Sequence, residues 1–534
     1  MKKFKYSFMA SALLGVSLVG CYDMNTEPLG STITADQKEA TISANPARIE
    51  ASVTAITSLF YLYGNTVDNH ADFGFPSIML LTDHRGTDLV TEDIGYNWFS
   101  QPLTYEDINN TYWATYLYWR VCYKQLYAVN SLAKIIDPAT EDDNLKFYLA
   151  QAYAVRAFDY FYLAQMYQHT YAGVDADGNP NTEKPCVPII TEANMDAAGA
   201  EGCARATVAE VYEQILSDID AAIALLENTT VTRADKRYVS AAVAYGLRAR
   251  INMVMHNWEG AKEDAAKALE LTDATPYTAE QVSKPTMSDI NDNAWMWGVL
   301  VAETDRAVTT GICNWPSHMG SLNYGYASVG AWRRISEDLY SKIPATDVRK
   351  GWFLDENATS PNLNAEQAAY VAEAGCYPYT QVKFGCYNDE TYTSTNANDI
   401  PLMRVEEMYL ILAEAQAMAG DPAAGAATLQ NFVTTYRDPA YTCTATEASK
   451  VQDAVWMQRR IELWGEGFSY YDLMRLNKGV DRRGAGFEPA YTYNIPAGDA
   501  ALIYRLPKAE IEGNALISDA QNNPAASVPT PVSE

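Results

Sequence analysis

Histidine is scarce in this chain, with five in 534 residues (His70, His84, His169, His256 and His318), and none belongs to an HExxH pair. The helical zinc-hydrolase arrangement is therefore excluded, and GxSxG and P-loop motifs are missing as well. Gly484-Ala-Gly486 fails the dinucleotide fingerprint, because Pro489 stands where the third glycine belongs. No cofactor and no metal site is expected. No CxxC occurs either, which removes the redox and zinc-ribbon patterns. Basic residues are in deficit, 39 Lys and Arg against 67 Asp and Glu, for a net charge of −28. Such a surface repels phosphate backbones and anionic lipid, so nucleic acid is a poor partner. Neutral ligands such as sugars are untouched by that exclusion.

Long apolar runs are also missing, apart from the start of the chain. Lys2, Lys3 and Lys5 precede an apolar stretch from Phe8 to Val19, well short of the roughly 20 residues that span a bilayer. The stretch closes on Leu18-Val19-Gly20-Cys21, which resembles the lipobox of bacterial lipoproteins. That resemblance implies residues 1–20 as a signal peptide and Cys21 as the acylated first residue of a tether, residues 21–34. An acylated end would hold the chain to its membrane, since each buried methylene contributes about 0.8 kcal/mol. Seven further cysteines remain, Cys122, Cys186, Cys203, Cys313, Cys376, Cys386 and Cys443. Cys186/Cys203 and Cys376/Cys386 could close local disulfides, and buried free thiols fit the same spacing.

What is abundant is apolar and aromatic material, 48% and 12% of the chain, ample for a large core in residues 35–534. A mostly α-helical fold is expected. Helical periodicity runs through 105–136, 144–168 and 208–226, with Tyr148, Ala152, Val155, Phe158 and Tyr162 on one stripe. Residues 239–256 and 258–271 read as a helix pair, and Ala249, Ala261 and Ala268 fall where a tetratricopeptide unit needs small residues. A second pair, 402–418 and 423–436, aligns by a constant shift. Ala249 meets Ala413, Ala261 meets Gly425, and the Asn257 turn meets Asp421. The helical scaffold is thus expected over about 105–272 and 400–478, with a long loop-rich ligand region over 273–400. Trp113, Trp119, Trp258, Trp456 and Trp464 lie on helical patterns and read as core.

Four ordered segments resemble the SusD-like family of Bacteroidetes: Ala150 to Tyr167, the 239–271 pair, Asp399 to Ala415, and Arg459 to Arg475 with its paired Arg, Glu-Leu, Glu-Gly and Asp-Leu. Leu506-Pro507, Glu510, Asn514 and Gln521-Asn522 echo the family's closing motif. Ser469 replaces a common Arg, and Asn523 is inserted before Pro524. The resemblance implies an outer-membrane lipoprotein facing the exterior. It would capture an oligosaccharide, or in some members a peptide, and deliver it to a SusC-like TonB-dependent transporter without catalysis. Glu462, Glu466 and Asp472 could suggest the carboxylate pair of a lipid-anchored glycan hydrolase. Arg459, Arg460 and Arg475 stand within helical reach, so an Arg–carboxylate network is the simpler reading, and it would lower the carboxylate pKa values. A purely structural envelope scaffold would share the helical repeats but bind no soluble ligand.

A glycan offers flat C–H faces for stacking and hydroxyls for hydrogen bonds. Two Gly-rich segments supply both chemistries. One runs Asp83-His84-Arg85-Gly86-Thr87-Asp88 and then Tyr96-Asn97-Trp98; the other holds Trp315-Pro316-Ser317-His318, Tyr324-Gly325-Tyr326 and Trp332-Arg333. Arg85, Trp98, Trp315, Tyr324 and Trp332 are the expected ligand-binding residues.

Overall fold

Five of the principal helix starts are set by short polar side chains, Asp142, Thr207, Ser240, Asn257 and Asp421, that accept free N–H groups of the first turn. Asp142 accepts from the Asn144 and Leu145 amides at 2.9 and 3.0 Å. Thr207 and Glu210 form a reciprocal capping box. The computed structural model describes residues 46–64, 69–175 and 177–533. Cys21 and the 21–34 tether lie outside the described residues. The chain divides into two units, Met1–Ala51 and Ser52–Glu534, and the scaffold and loops belong to the second.

The principal helices are α1 (Phe75–Arg85), α2 (Trp113–Ala133), α3 (Asp143–Tyr167), α4 (Val208–Glu227), α5 (Ala241–Val254), α6 (Trp258–Leu271), α7 (Val405–Met418), α8 (Pro422–Tyr436), α9 (Ala448–Glu462) and α10 (Ser469–Arg475). Each packs on its neighbour in turn, from α2 on α3 through α7 on α8, and α7 also packs on α9. Helix α3 is apolar or aromatic on every face and buried along most of its length, as a central helix must be. Its Arg156 ties three helices together. The guanidinium donates to Asp218 of α4 at 2.9 and 2.6 Å and to Asn130 of α2 at 2.9 Å.

Both expected helix pairs are present. Asn257 caps α6 and Asp421 caps α8, each accepting from the amide three residues on. Ala249, Ala261, Ala268 and Ala413 are fully buried. At Gly425 a Cβ would come 2.5 Å from the Ala413 carbonyl oxygen and 2.8 Å from the Ala417 Cβ. Only hydrogen fits, which is why α7 and α8 approach so closely. The helix expected from residue 105 begins at Trp113 instead. Tyr105 takes a left-handed φ of 59°, a 3₁₀ turn follows at Glu106–Ile108, and together they delay it.

Strands among the described residues are short and paired only in twos. They are β1 (Leu89–Val90), β2 (Trp295–Val299), β3 (Arg334–Ile335) and β4 (Ile400–Arg404), among others. β2 runs antiparallel to β4 and joins the loop-rich region to the start of α7. β1 runs antiparallel to β3, pairing Leu89 with Ile335 and Val90 with Arg334. All seven described cysteines are free thiols.

Two tests follow from this packing. Gly425→Val is expected to lower stability by about 1–3 kcal/mol through overpacking against α7, measurable as a shift in urea midpoint. Among the described residues neither carboxyl oxygen of buried Asp159, on α3, has a partner, and burial holds its pKa well above the ordinary carboxylate value. A raised folded pKa means stability falls as pH rises above the unfolded value of about 3.9. Asp159→Asn is therefore expected to raise the urea midpoint at pH 7 and leave it nearly unchanged below pH ~4.

Candidate functional site

Two of the three carboxylates that suggested a hydrolase, Glu462 and Glu466, lie in a sealed ionic cluster. Arg349, Lys383, Arg404 and Arg437 face Asp347, Glu406, Glu462 and Glu466, and all eight are buried. Arg437 donates to both Glu462 carboxyl oxygens at 2.7 and 2.8 Å. Arg404 grips Glu466 at 2.9 and 2.8 Å, and Lys383 Nζ reaches Glu466 at 2.7 Å. Arg349 completes Glu462 at 3.1 Å. Burial alone would raise the Glu462 and Glu466 pKa values. Arg437, Arg404 and Arg349 more than offset it for Glu462, and Arg404 and Lys383 do so for Glu466, so both are held below the ordinary range. Asp472, clamped by Arg459 and Arg475, is lowered in the same way. A group held ionised and away from solvent has no proton to give as a general acid.

The two loop segments singled out in the sequence do come together, through the β1–β3 ladder. The side chains they present differ from those expected, however. Arg85 is enclosed, with Nη1 on Asp107 and Nη2 on the Ala501 carbonyl, each at 2.5 Å, and its guanidinium lies 4.4 Å from the Tyr105 ring centroid. Trp315 is 1% exposed and packs edge-on against Phe384. Trp332 is 4% exposed, in a core cluster with Leu322, Leu354, Val371 and Val382. All three are enclosed by protein, against the expectation of accessible ligand-binding side chains: a sealed ring has no face left for a sugar, and the Arg85 guanidinium is already engaged.

Trp98 and Tyr324 remain accessible, and residues not picked out individually surround them. The His70 ring stacks on Trp98 with centroids 4.6 Å apart, and His70 Nδ1 hydrogen-bonds to the Tyr326 hydroxyl. Tyr326 lies 6.1 Å from Trp98 and 6.4 Å from Tyr96, which is 54% exposed. Beneath them His318 Nε2 lies 3.0 Å from the His70 carbonyl oxygen and its ring lies 4.8 Å from Tyr326. Burial, then the charge of Arg333, keep His318 well below the usual imidazole pKa. It is neutral, so the contact fixes its proton on Nε2.

A second group adjoins the first along the chain. Tyr324, 39% exposed, meets Tyr392, 42% exposed, edge-to-face at 5.4 Å, and Tyr370 backs Tyr392 at 5.1 Å. The Leu322 carbonyl accepts from the Tyr392 amide at 2.7 Å and the Tyr324 carbonyl from Asn396 Nδ2 at 2.8 Å, which sets the two segments side by side. Gly325 between Tyr324 and Tyr326 is required, because a Cβ there would overlap Ser317. Tyr392 left no sequence signal, since its position depends on a distant backbone pairing.

Ser469, the departure from the family pattern, donates to Asp88 Oδ2 at 2.7 Å, while Arg460 holds Asp88 at 2.6 Å. Asn523, the inserted residue, donates to the Tyr167 and Tyr504 carbonyls at 2.6 and 2.7 Å. Elsewhere a cleft of about 660 Å³ lies between the 168–185 segment and residues 497–503 and 521–524. No Trp, Tyr or Phe lines it, so it offers no stacking platform. Among the described residues no cluster of His, Cys, Asp and Glu could hold a metal. No helix among them is long and apolar enough to cross a membrane.

Comparison with known proteins matches this architecture. Residues 77–253 fit a family described as starch-binding associating with outer membrane, and residues 344–514 fit the SusD family. The chain belongs to the SusD-like family. It is 24% identical over 422 residues to SusD-like protein P38 of Formosa agariphila, covering 72% of this chain and 77% of that one. SusD-like protein P2 of the same organism is 23% identical over 546 residues, covering 95% of this chain and 96% of its own. Among solved structures, a SusD-like carbohydrate binding protein from Bacteroides vulgatus superposes with a TM-score of 0.73 at 23% identity, covering 90% of this chain and 98% of its own. A laminarin binding SusD-like protein gives 0.63 at 18% identity, covering 90% and 100%.

Removing a partner from the ionic cluster gives its test. Glu462→Gln leaves Arg349 and Arg437 short of a buried counter-charge and is expected to cost about 3–5 kcal/mol in urea unfolding.

Proposed function

We propose that this protein captures a neutral oligosaccharide at the cell surface on the aromatic shelf formed by Tyr96, Trp98, Tyr324 and Tyr392. The observation that carries the reading is geometric. The rings of Tyr96, Tyr324 and Tyr392 are exposed and that of Trp98 is half-buried; Tyr96 and Trp98 share Tyr326 as a neighbour, and Tyr324, two residues before Tyr326, meets Tyr392 edge-to-face and is held by a backbone hydrogen bond from Asn396. Rings held this way lose little rotamer entropy when a sugar stacks on them. The family description and the laminarin-binding neighbour support a glycan ligand. The lipobox at Leu18–Cys21 supports acylation of Cys21 and anchoring at the outer membrane. The family supports delivery to a SusC-like TonB-dependent transporter, with the helical face as docking surface. Capture and release make and break no covalent bond in the sugar, and the clamped carboxylates fit that role.

The test is a screen of oligosaccharides by titration calorimetry against the wild type and four variants. Trp98→Ala and Tyr324→Ala are each expected to weaken binding about tenfold, since a stacked aromatic contributes on the order of 1 kcal/mol beyond its buried area. Arg85→Lys and Trp315→Phe, at enclosed positions, are expected to alter stability more than affinity. Undiminished binding by both shelf variants would overturn the placement, and peptide binding with no glycan bound would overturn the ligand class.

A further inference from the structure

Arg333 is an anomaly among the buried cations. It is 0% exposed, as are or nearly are Arg85, Arg349, Arg404, Arg437 and Arg459, but each of those is paired with a carboxylate. Among the described residues Arg333 forms no ion pair. Its Nη1 donates to Thr91 Oγ1 and to the Ala331 carbonyl, both at 2.9 Å, and Nη2 donates to Asn97 Oδ1 at 3.3 Å. Its Nε has no partner among the described residues. Arg482 also lacks a carboxylate, but its three nitrogens reach four backbone carbonyls. The two histidines beside Arg333, His84 and His318, are both held neutral, first by burial and then by Arg333 itself. Burial pulls Arg333 down to about 9. An uncompensated buried guanidinium is costly, so its place in the fold needs a structural return.

The three acceptors show what that return is. Thr91 and Asn97 bracket the loop that carries Tyr96, and Asn97 lies between Tyr96 and Trp98. Asn97 is itself locked, its Oδ1 accepting from the Phe99 amide at 3.1 Å and its Nδ2 donating to the Glu92 carbonyl at 3.0 Å. Ala331 closes the other loop, its amide donating to the Tyr326 carbonyl at 3.2 Å. One planar fork thus bonds the Thr91–Asn97 segment that carries Tyr96 to Ala331, which closes the loop carrying Tyr324 and Tyr326, beside the two-residue β1–β3 ladder. A lysine would carry the same charge but could not span acceptors on two loops in one fixed plane.

We infer that Arg333 is a positioning residue for the aromatic shelf, its guanidinium fork fixing the Tyr96–Trp98 loop against the Tyr324–Tyr326 loop. It touches no ligand. The consequence for oligosaccharide affinity rests on the capture reading given above; the consequence for loop order does not.

The test has two arms. In the ligand-free full chain, Arg333→Lys is expected to speed amide hydrogen exchange about tenfold in 91–98 and 324–331, leaving α5–α8 unchanged. Unchanged exchange in both loops overturns the inference, and so does lost protection spread over the whole molecule. Thr91→Val removes one acceptor with little change in volume, so it serves if the lysine variant does not fold. It is expected to show the same local effect, smaller. The second arm is a double-mutant cycle with Trp98→Ala, read as oligosaccharide affinity. Arg333→Lys is expected to weaken binding about tenfold when Trp98 is present and less than about threefold when it is absent. Equal losses in both backgrounds indicate a general structural role and overturn the inference. A wild type that binds no oligosaccharide refutes the capture reading, while the exchange arm still decides the positioning role.

Discussion

The shelf depends on a buried seam of charge. Arg404 ends β4, Glu406 opens α7, Arg437 follows α8, Glu462 ends α9, and Glu466 sits in the Gly465–Gly467 turn before α10. Arg349 and Lys383 come from the loop-rich region and enter the same cluster. Four cations and four carboxylates, all sealed, therefore join the loops to the ends of three helices. Such a cluster adds little net stability over an apolar core, because desolvation offsets most of the attraction. Its value is directional. Bidentate Arg–carboxylate contacts accept one relative placement of the segments that carry them, where apolar packing tolerates several.

That placement propagates outward in steps. Trp464, in the same segment as Glu466, donates from Nε1 to the Asp88 carbonyl at 2.9 Å, and Arg460 and Ser469 hold the Asp88 carboxylate. Asp88 precedes β1, β1 pairs with β3, and Arg333 sits immediately before β3. Trp464, Asp88, Arg460, Val90, Ile335 and Arg333 are all buried along this path, so the rings at the surface stand on a chain of fixed contacts. A surface organised before the ligand arrives keeps more of its interaction energy as affinity. Many of the chain's arginines are drawn inside in this way, and its remaining surface is strongly acidic.

The helical half of the molecule was legible in the sequence because small residues at fixed spacing have a direct structural meaning. Ala249, Ala261, Ala413 and Gly425 are small because a second helix lies against them, and Asn257 and Asp421 mark the starts of those helices. Two of the segments that carry the proposed shelf were also marked in the sequence, by glycines and aromatics clustered in 83–98 and 315–333. Which rings face outward was not. Trp315 and Trp332 share composition and context with Trp98, and the difference lies in whether Phe384 or Leu354 and Val382 cover them. Those residues sit far along the chain, and the β1–β3 ladder that aligns the loops is two residues long, too short to leave a period. Arg85 misled for a related reason: its partners Asp107 and Ala501 are invisible from its neighbours.

The most direct measurement is the structure of the protein bound to an oligosaccharide chosen from the binding screen. Sugar rings are expected to lie flat on Trp98 and on Tyr324 or Tyr392, with Arg85, Trp315 and Trp332 still enclosed and the ionic cluster unmoved. A ligand seated instead in the cleft between residues 168–185 and 521–524, with the shelf empty, would contradict that placement.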